Sequence, residues 1–187
     1  MKLVAGLGNP TSRYARTRHN LGFWVVDRLA GEADASFKRS RFEALESRIT
    51  PGGVTVVLVK PQTYMNLSGE AVAPLARWYG LGPGSVLVVC DEMDLPAGRL
   101  RIRRKGSAGG HKGLQSVLER MGTQEVPRLR IGVDRPRGNA EAWVLASLDE
   151  AESIRFGAAA DRAAEAVKTW VREGIEACMN RYNGTDE

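Results

Sequence analysis

The sequence predicts an α/β fold, a twisted mixed β-sheet surrounded by helices, in a single domain spanning residues 1–187. Three observations point there. Short apolar runs of strand length alternate with stripes of helical period. The length suits one unit at roughly 100–200 residues per domain. No Pro/Gly/Ser-rich linker, internal repeat or low-complexity tract divides the chain.

Residues 3–7, 54–59 and 86–90 are strand-like apolar runs. Residues 44–49 form a further strand candidate, and Thr50-Pro51-Gly52-Gly53 joins it to the next with hairpin-turn chemistry. Alternation suggests three more strands, at 99–103, 128–133 and 141–146. Helical spacing appears at Leu21, Trp24, Val25 and Leu29, ending near Gly31. A second helix follows Ser68 through Val72, Leu75 and Tyr79, with Pro74 expected in an early turn or at a kink. A third carries Leu114, Val117, Leu118 and Met121. The fourth begins at Asp149, with Glu152 as capping-box partner, and runs toward Cys178 past Gly157 and Gly174.

Composition narrows the class. Hydrophobic residues make up 43% and charged residues 26%, as in an ordinary globular protein. No run approaches the roughly 18 apolar residues of a membrane span, and the first residues read as a strand instead of a signal peptide. Two cysteines, Cys90 and Cys178, lack zinc-ligand spacing and fit a reducing cytoplasm.

The net charge of +5 is unevenly placed: residues 1–98 carry +2, residues 99–137 carry +8, and residues 138–187 carry −5. A concentrated basic block suits a polyanion such as nucleic acid. The period-2 rule puts Arg99, Arg101, Arg103 and Lys105 on one strand face, and Arg128 and Arg130 on another. With the apolar side on the core, these guanidinium groups are expected to face outward, where they suit bidentate phosphate contact.

Several chemistries can be tested against the motifs. Gly6-Leu7-Gly8-Asn9-Pro10 starts like a dinucleotide fingerprint but has Thr11 at the third glycine, and Asp27 falls inside a helical stripe. The glycine-rich segment 106–113 lacks the Gly-Lys-Ser/Thr of a phosphate loop. No Gly-x-Ser-x-Gly elbow is present. Asp91, Glu92 and Asp94 offer acids for a glycosidase, with no second acid placed across a sugar. What remains is polar: Asn9 after a strand, His19 before a helix, Asn66 before another, and Asp91 at the end of a very apolar strand, where ligand sites of α/β sheets gather.

Six segments in order resemble the bacterial-type peptidyl-tRNA hydrolase family, over residues 3–182: Gly6-Leu7-Gly8-Asn9-Pro10; residues 14–20 with Thr17-Arg18-His19-Asn20; Tyr64-Met65-Asn66-Leu67-Ser68-Gly69; Asp91-Glu92-Met93-Asp94-Leu95-Pro96; Gly109-Gly110-His111-Lys112-Gly113-Leu114; and Arg128-Leu129-Arg130-Ile131-Gly132. The resemblance implies a monomeric cytoplasmic esterase, without metal or cofactor, that cleaves peptide from the 3′ ribose of tRNA. It implies His19 as general base, since an imidazole ordinarily titrates near ~6.5, and Asp91 as the acceptor that fixes its tautomer. It implies that Asn9 and Asn66 hold the peptide end and the carbonyl, Asn9 also helping to reject a free amine. Tyr14 and Tyr64 match substrate-binding positions, Met65 and His111 line the groove, and Arg103 and Arg130 match a pair that grips the 5′ phosphate of the acceptor stem. Many relatives have Asn where this chain has Lys112, which could meet a phosphate instead. The family also includes non-catalytic RNA-binding relatives; the presence of His19, Asp91, Asn9 and Asn66 favours the enzyme.

Overall fold

The computed structural model describes residues 1–184. Seven strands form one sheet: β1 (Lys2–Gly6), β2 (Lys38–Arg39), β3 (Ala44–Ile49), β4 (Val56–Pro61), β5 (Val86–Glu92), β6 (Leu100–Arg103) and β7 (Arg128–Gly132), in the order β2-β3-β4-β1-β5-β7-β6. The four inner strands β4, β1, β5 and β7 run parallel. The strands at both edges pair antiparallel, β3 with β4 and β2 at one side and β6 with β7 at the other. The sheet is therefore mixed, as expected. Strands β1, β4 and β5 are buried on both faces, which explains their near-continuous apolar sequence.

Side chains alternate between two cores. Val4, Leu87 and Val89 face α1 (Leu21–Glu32), α5 (Glu150–Glu173) and α6 (Ile175–Tyr182). Leu3, Ala5, Val86 and Val88 face α2 (Ser68–Trp78) and α3 (Lys112–Met121). The capping box at Asp149 and Glu152 starts α5 as predicted. The helix continues through Gly157 and stops before Gly174, whose φ of 92° favours glycine, so the expected long helix is two.

Three other expectations change. Residues 141–146 are not a strand: Ala140–Leu145 is a short helix, α4, whose first turn is held by the Asn139 side chain accepting from the Ala142 N–H. Six residues of mixed character carry too little periodicity to separate the two. Pro74 lies within α2, past its first turn. Arg128 does not face outward. It is 1% exposed, and its guanidinium donates to the carbonyls of Val126, Ser107 and Gln124. Strand alternation gave the face correctly, but the loop returning over that face covers it. Burial, then the neighbouring Arg130 charge, lowers the Arg128 pKa to about 10. Strand β2, only two exposed residues long, had no apolar pattern to announce it.

Strand β1 hands the chain toward β4, and β5 hands it toward β7, so their carboxyl ends flank a switch point of the sheet. Ligands of open α/β sheets bind in such a crevice. The N-terminus of α1 lies directly on it. A Cβ at Gly22 would overlap the Leu7 backbone and the Val89 carbonyl oxygen, so glycine is what allows the helix this close.

Candidate active site

The close seating of α1 brings Asn20 against Asn9, just beyond β1. The Asn20 Oδ1 accepts the Asn9 N–H at 2.9 Å, and its Nδ2 donates to the Asn9 carbonyl at 2.9 Å. The Asn9 side chain is fixed from the other side, because its Oδ1 accepts the Met65 N–H at 2.8 Å. With that oxygen engaged by a donor, the amide NH2 is the end left for a ligand. Asn20, 2% exposed, gains a task here that its place in the Thr17-Arg18-His19-Asn20 motif does not announce.

His19 lies in the 3-10 turn Arg18–Asn20 that leads into α1. Its Nδ1 sits 2.9 Å from Asp91 Oδ1 and 3.1 Å from Oδ2. His111 reaches the same Oδ1 with its Nε2, at 3.0 Å. The His111 Nδ1 accepts the Leu114 N–H at 3.1 Å as α3 begins. That fixes the proton on His111 Nε2, so His111 donates to Asp91. The proton on His19 Nδ1 does the same, which leaves the His19 Nε2 lone pair free. Burial of Asp91, 2% exposed, would raise its pKa, but the charge of His19 and of His111 and their hydrogen bonds outweigh it. The carboxyl is held well below the usual range.

The two imidazoles and the carboxylate place ligand-type atoms within 4.8 Å of one another. The hydrogen-bond pattern does not suit a metal there, since the Leu114 N–H occupies the lone pair of His111 Nδ1. Metal binding at Nε2 would need Nδ1 to carry the proton instead, and Nδ1 is engaged as an acceptor.

These groups open onto a cavity of about 660 Å³. Asn9, Tyr14, His19, Tyr64, Met65, Asn66, Asp91, His111 and Lys112 all line it, so nine of the predicted positions meet in one place. Sequence reasoning did not assign the contributions of Glu92 and Met93, or of Ala140, Glu141, Val144 and Leu145 from α4. The Lys112 Nζ lies 3.7 Å from Glu141 Oε2 across the opening, both side chains exposed. Gly113 packs so closely on Met65 that a Cβ there would overlap its sulfur, which locks α3 to the Met65 turn. Arg103 and Arg130 lie outside the cavity lining. Arg103 is exposed on the edge strand, whereas Arg130 pairs with Glu92 at 2.9 Å and donates to the Ser107 carbonyl. A smaller cleft of about 400 Å³, beside Arg99, Arg155 and Arg162, contains none of the candidate residues.

Such a site can move a proton at one imidazole nitrogen while neutral amides hold a carbonyl. No serine or cysteine is among its described lining residues. The class defined is an enzyme of α/β fold whose pocket is built around an imidazole–carboxylate pair and side-chain amides. The comparisons make it particular. The profile of the peptidyl-tRNA hydrolase family matches residues 3–187, and the chain belongs to that family. It is 51% identical to a peptidyl-tRNA hydrolase of Desulforamulus reducens over 98% of this chain and 89% of that one. It is 46% identical to one of Syntrophomonas wolfei, covering 98% and 100%. A crystal structure of peptidyl-tRNA hydrolase from Acinetobacter baumannii matches with a TM-score of 0.93 at 35% identity, covering 100% of this chain and 96% of that one.

Proposed function

We propose that this chain hydrolyses the ester joining a peptide, or another N-blocked aminoacyl group, to the 3′ ribose of tRNA, with His19 as the general base. The observation that carries the reading is the His19–Asp91 contact, 2.9 Å long, at the wall of a pocket that also presents Asn9 and Asn66.

The His19 Nε2 lone pair takes a proton from water, and the resulting hydroxide attacks the ester carbonyl. Asp91 holds the opposite ring nitrogen and stabilises the imidazolium. The Asn9 NH2, or that of Asn66, donates to the oxyanion of the tetrahedral intermediate, a contribution of roughly 3–4 kcal/mol for one well-aimed donor. Collapse breaks the bond to the ribose oxygen, which takes the proton back from His19. Free tRNA and a peptide acid leave.

Tyr14, Tyr64 and Met65 bound the pocket beside the reacting ester, and His111 positions the shared carboxylate. Arg103, Arg130 and Lys112 meet phosphates of the acceptor stem. No helix among the described residues is long and apolar enough to cross a membrane. One copy supplies every group the mechanism uses, so we read the whole chain as one domain acting as a cytoplasmic monomer. The test is incubation with N-acetylated and unblocked aminoacyl-tRNA. Ester cleavage of the blocked substrate alone is expected; equal cleavage of both, or of neither, rejects the reading.

A further inference from the structure

Arg18 precedes the proposed base by one residue, yet it points away from the pocket and is 3% exposed. Its guanidinium stacks on the Trp143 ring, 3.6 Å from the centroid. Its Nη1 donates to the Trp143 carbonyl at 3.1 Å, near the C-terminal end of α4. That carbonyl, in the last turn of a six-residue helix, otherwise accepts only a long 3.4 Å hydrogen bond from the Ala146 N–H among the described residues. The Nη2 pairs with Glu152 in the first turn of α5. The other Glu152 oxygen already closes the capping box by accepting from the Asp149 N–H. One side chain thus ties the His19 turn to the end of α4 and the start of α5.

The neighbouring backbone continues the tie. Thr17 forms an isolated bridge with Ser147, and the Leu148 N–H donates to the Arg16 carbonyl at 2.8 Å. On its far side the Trp143 indole N–H reaches the carbonyls of Val133 and Asp134, each at 3.0 Å.

For stability alone this is a poor bargain. Removing a cation from water is costly, and an apolar side chain of similar volume often does as well. The Arg18 Nε is buried with no hydrogen-bond partner among the described residues. What the fork supplies, and a hydrocarbon cannot, is register: a plane to stack and two directed N–H groups. The element it registers is a wall of the site, for α4 gives Ala140, Glu141, Val144 and Leu145 to the pocket.

Resting on the reading of His19 as the base, we propose that Arg18 is a positioning residue. It sets the substrate-contacting face of α4 relative to the His19 turn, and so governs how well substrate is held. His19 keeps its own anchor on Asp91, so the effect falls on binding more than on the chemical step.

The test is steady-state kinetics of Arg18→Met and Arg18→Lys on N-acetyl-aminoacyl-tRNA, with amide hydrogen exchange of residues 140–146 in the free protein. Arg18→Met is expected to raise KM about tenfold while kcat stays within about threefold, and to speed exchange selectively in α4. Arg18→Lys keeps the charge but not the fork; it serves if the methionine variant does not fold, and should raise KM several-fold. Trp143→Leu should raise KM as well, and combining it with Arg18→Met should add little. A folded Arg18 variant with wild-type KM and unchanged α4 exchange overturns the proposal, as does an additive double variant. His19→Ala is run alongside: full activity there removes the underlying mechanism, a failure distinct from that of the Arg18 tie.

Discussion

Asn20 and Asn9 are joined by two reciprocal hydrogen bonds, each 2.9 Å, in which one side-chain amide satisfies both backbone polar groups of the other residue. A loop end outside the strand ladder thus has both its backbone polar groups paired, as a strand residue would. It also couples two motifs separate in the sequence, since the residue next to His19 holds the backbone from which the Asn9 amide projects. The Met65 N–H then chooses which end of that amide faces the ligand.

Asn20→Ala should therefore leave the Asn9 N–H and carbonyl buried without partners, at a cost of about 1–3 kcal/mol for each group. Both the melting temperature and turnover should fall. Asn20→Asp is the sharper variant, because its second oxygen would face the Asn9 carbonyl without a proton between them. Turnover is expected to drop at least tenfold in either. If Asn20→Asp has wild-type kinetics, the Asn9 amide does not depend on this pair.

Much of the fold and of the site is legible in the sequence. Strands β1, β4 and β5 are announced by near-continuous apolar runs, β7 by its alternation, and the α5 cap by Asp149 and Glu152. The nine pocket residues came from motifs, each weak alone and specific in combination. What stayed hidden shares one cause, dependence on non-local packing. Nothing in Arg128-Leu129-Arg130 says that the segment carrying Ser107 and Gln124 folds over one arginine and turns its charge inward. Nothing in the six residues of α4 outweighs their alternation until Asn139 caps them and Arg18 receives the end. The tasks of Asn20 and Arg18 are likewise invisible locally, because their partners lie 11 and 125 residues away.

Removal of the base should abolish most of the chemistry without loss of fold. His19→Ala is expected to lower kcat by ~100-fold or more, as for loss of a general base. Asp91→Asn should be similarly severe for another reason. Its NH2 group would donate toward His19 Nδ1 and favour the tautomer whose Nε2 carries a proton. Single-turnover rates on N-acetyl-aminoacyl-tRNA measure both, and undiminished rates in either variant count against the His19–Asp91 mechanism.

The depressed Asp91 pKa makes an acid-stability prediction whose sign is fixed. The folded state releases this proton more readily than the unfolded chain, where a carboxyl titrates near ~3.9. The stabilisation is thus complete above about pH 5 and is lost as the pH falls below about 4 toward the lower folded pKa. Urea unfolding at stepped pH should show wild type losing stability more steeply than Asp91→Asn in that acid range. Parallel curves would mean that the two imidazoles do not hold the carboxylate as the geometry requires.

The basic strip should be read through salt and substrate length together. Arg103 is exposed on β6, so Arg103→Ala removes charge and little else; KM for full-length peptidyl-tRNA should rise, and the slope of log affinity against log salt should flatten by about one. Arg130→Ala should do more, because Arg130 also braces the glycine loop through the Ser107 carbonyl and leaves Glu92 unpaired when lost. Lys112→Asn removes a cation at the pocket mouth beside Glu141 and should shift the salt slope by a similar single unit. On a minimal peptidyl-nucleoside ester, which has no acceptor stem, Arg103→Ala should be indistinguishable from wild type. Equal losses of Arg103→Ala on the long and short substrates would place this arginine at the reacting ester instead of on the phosphates.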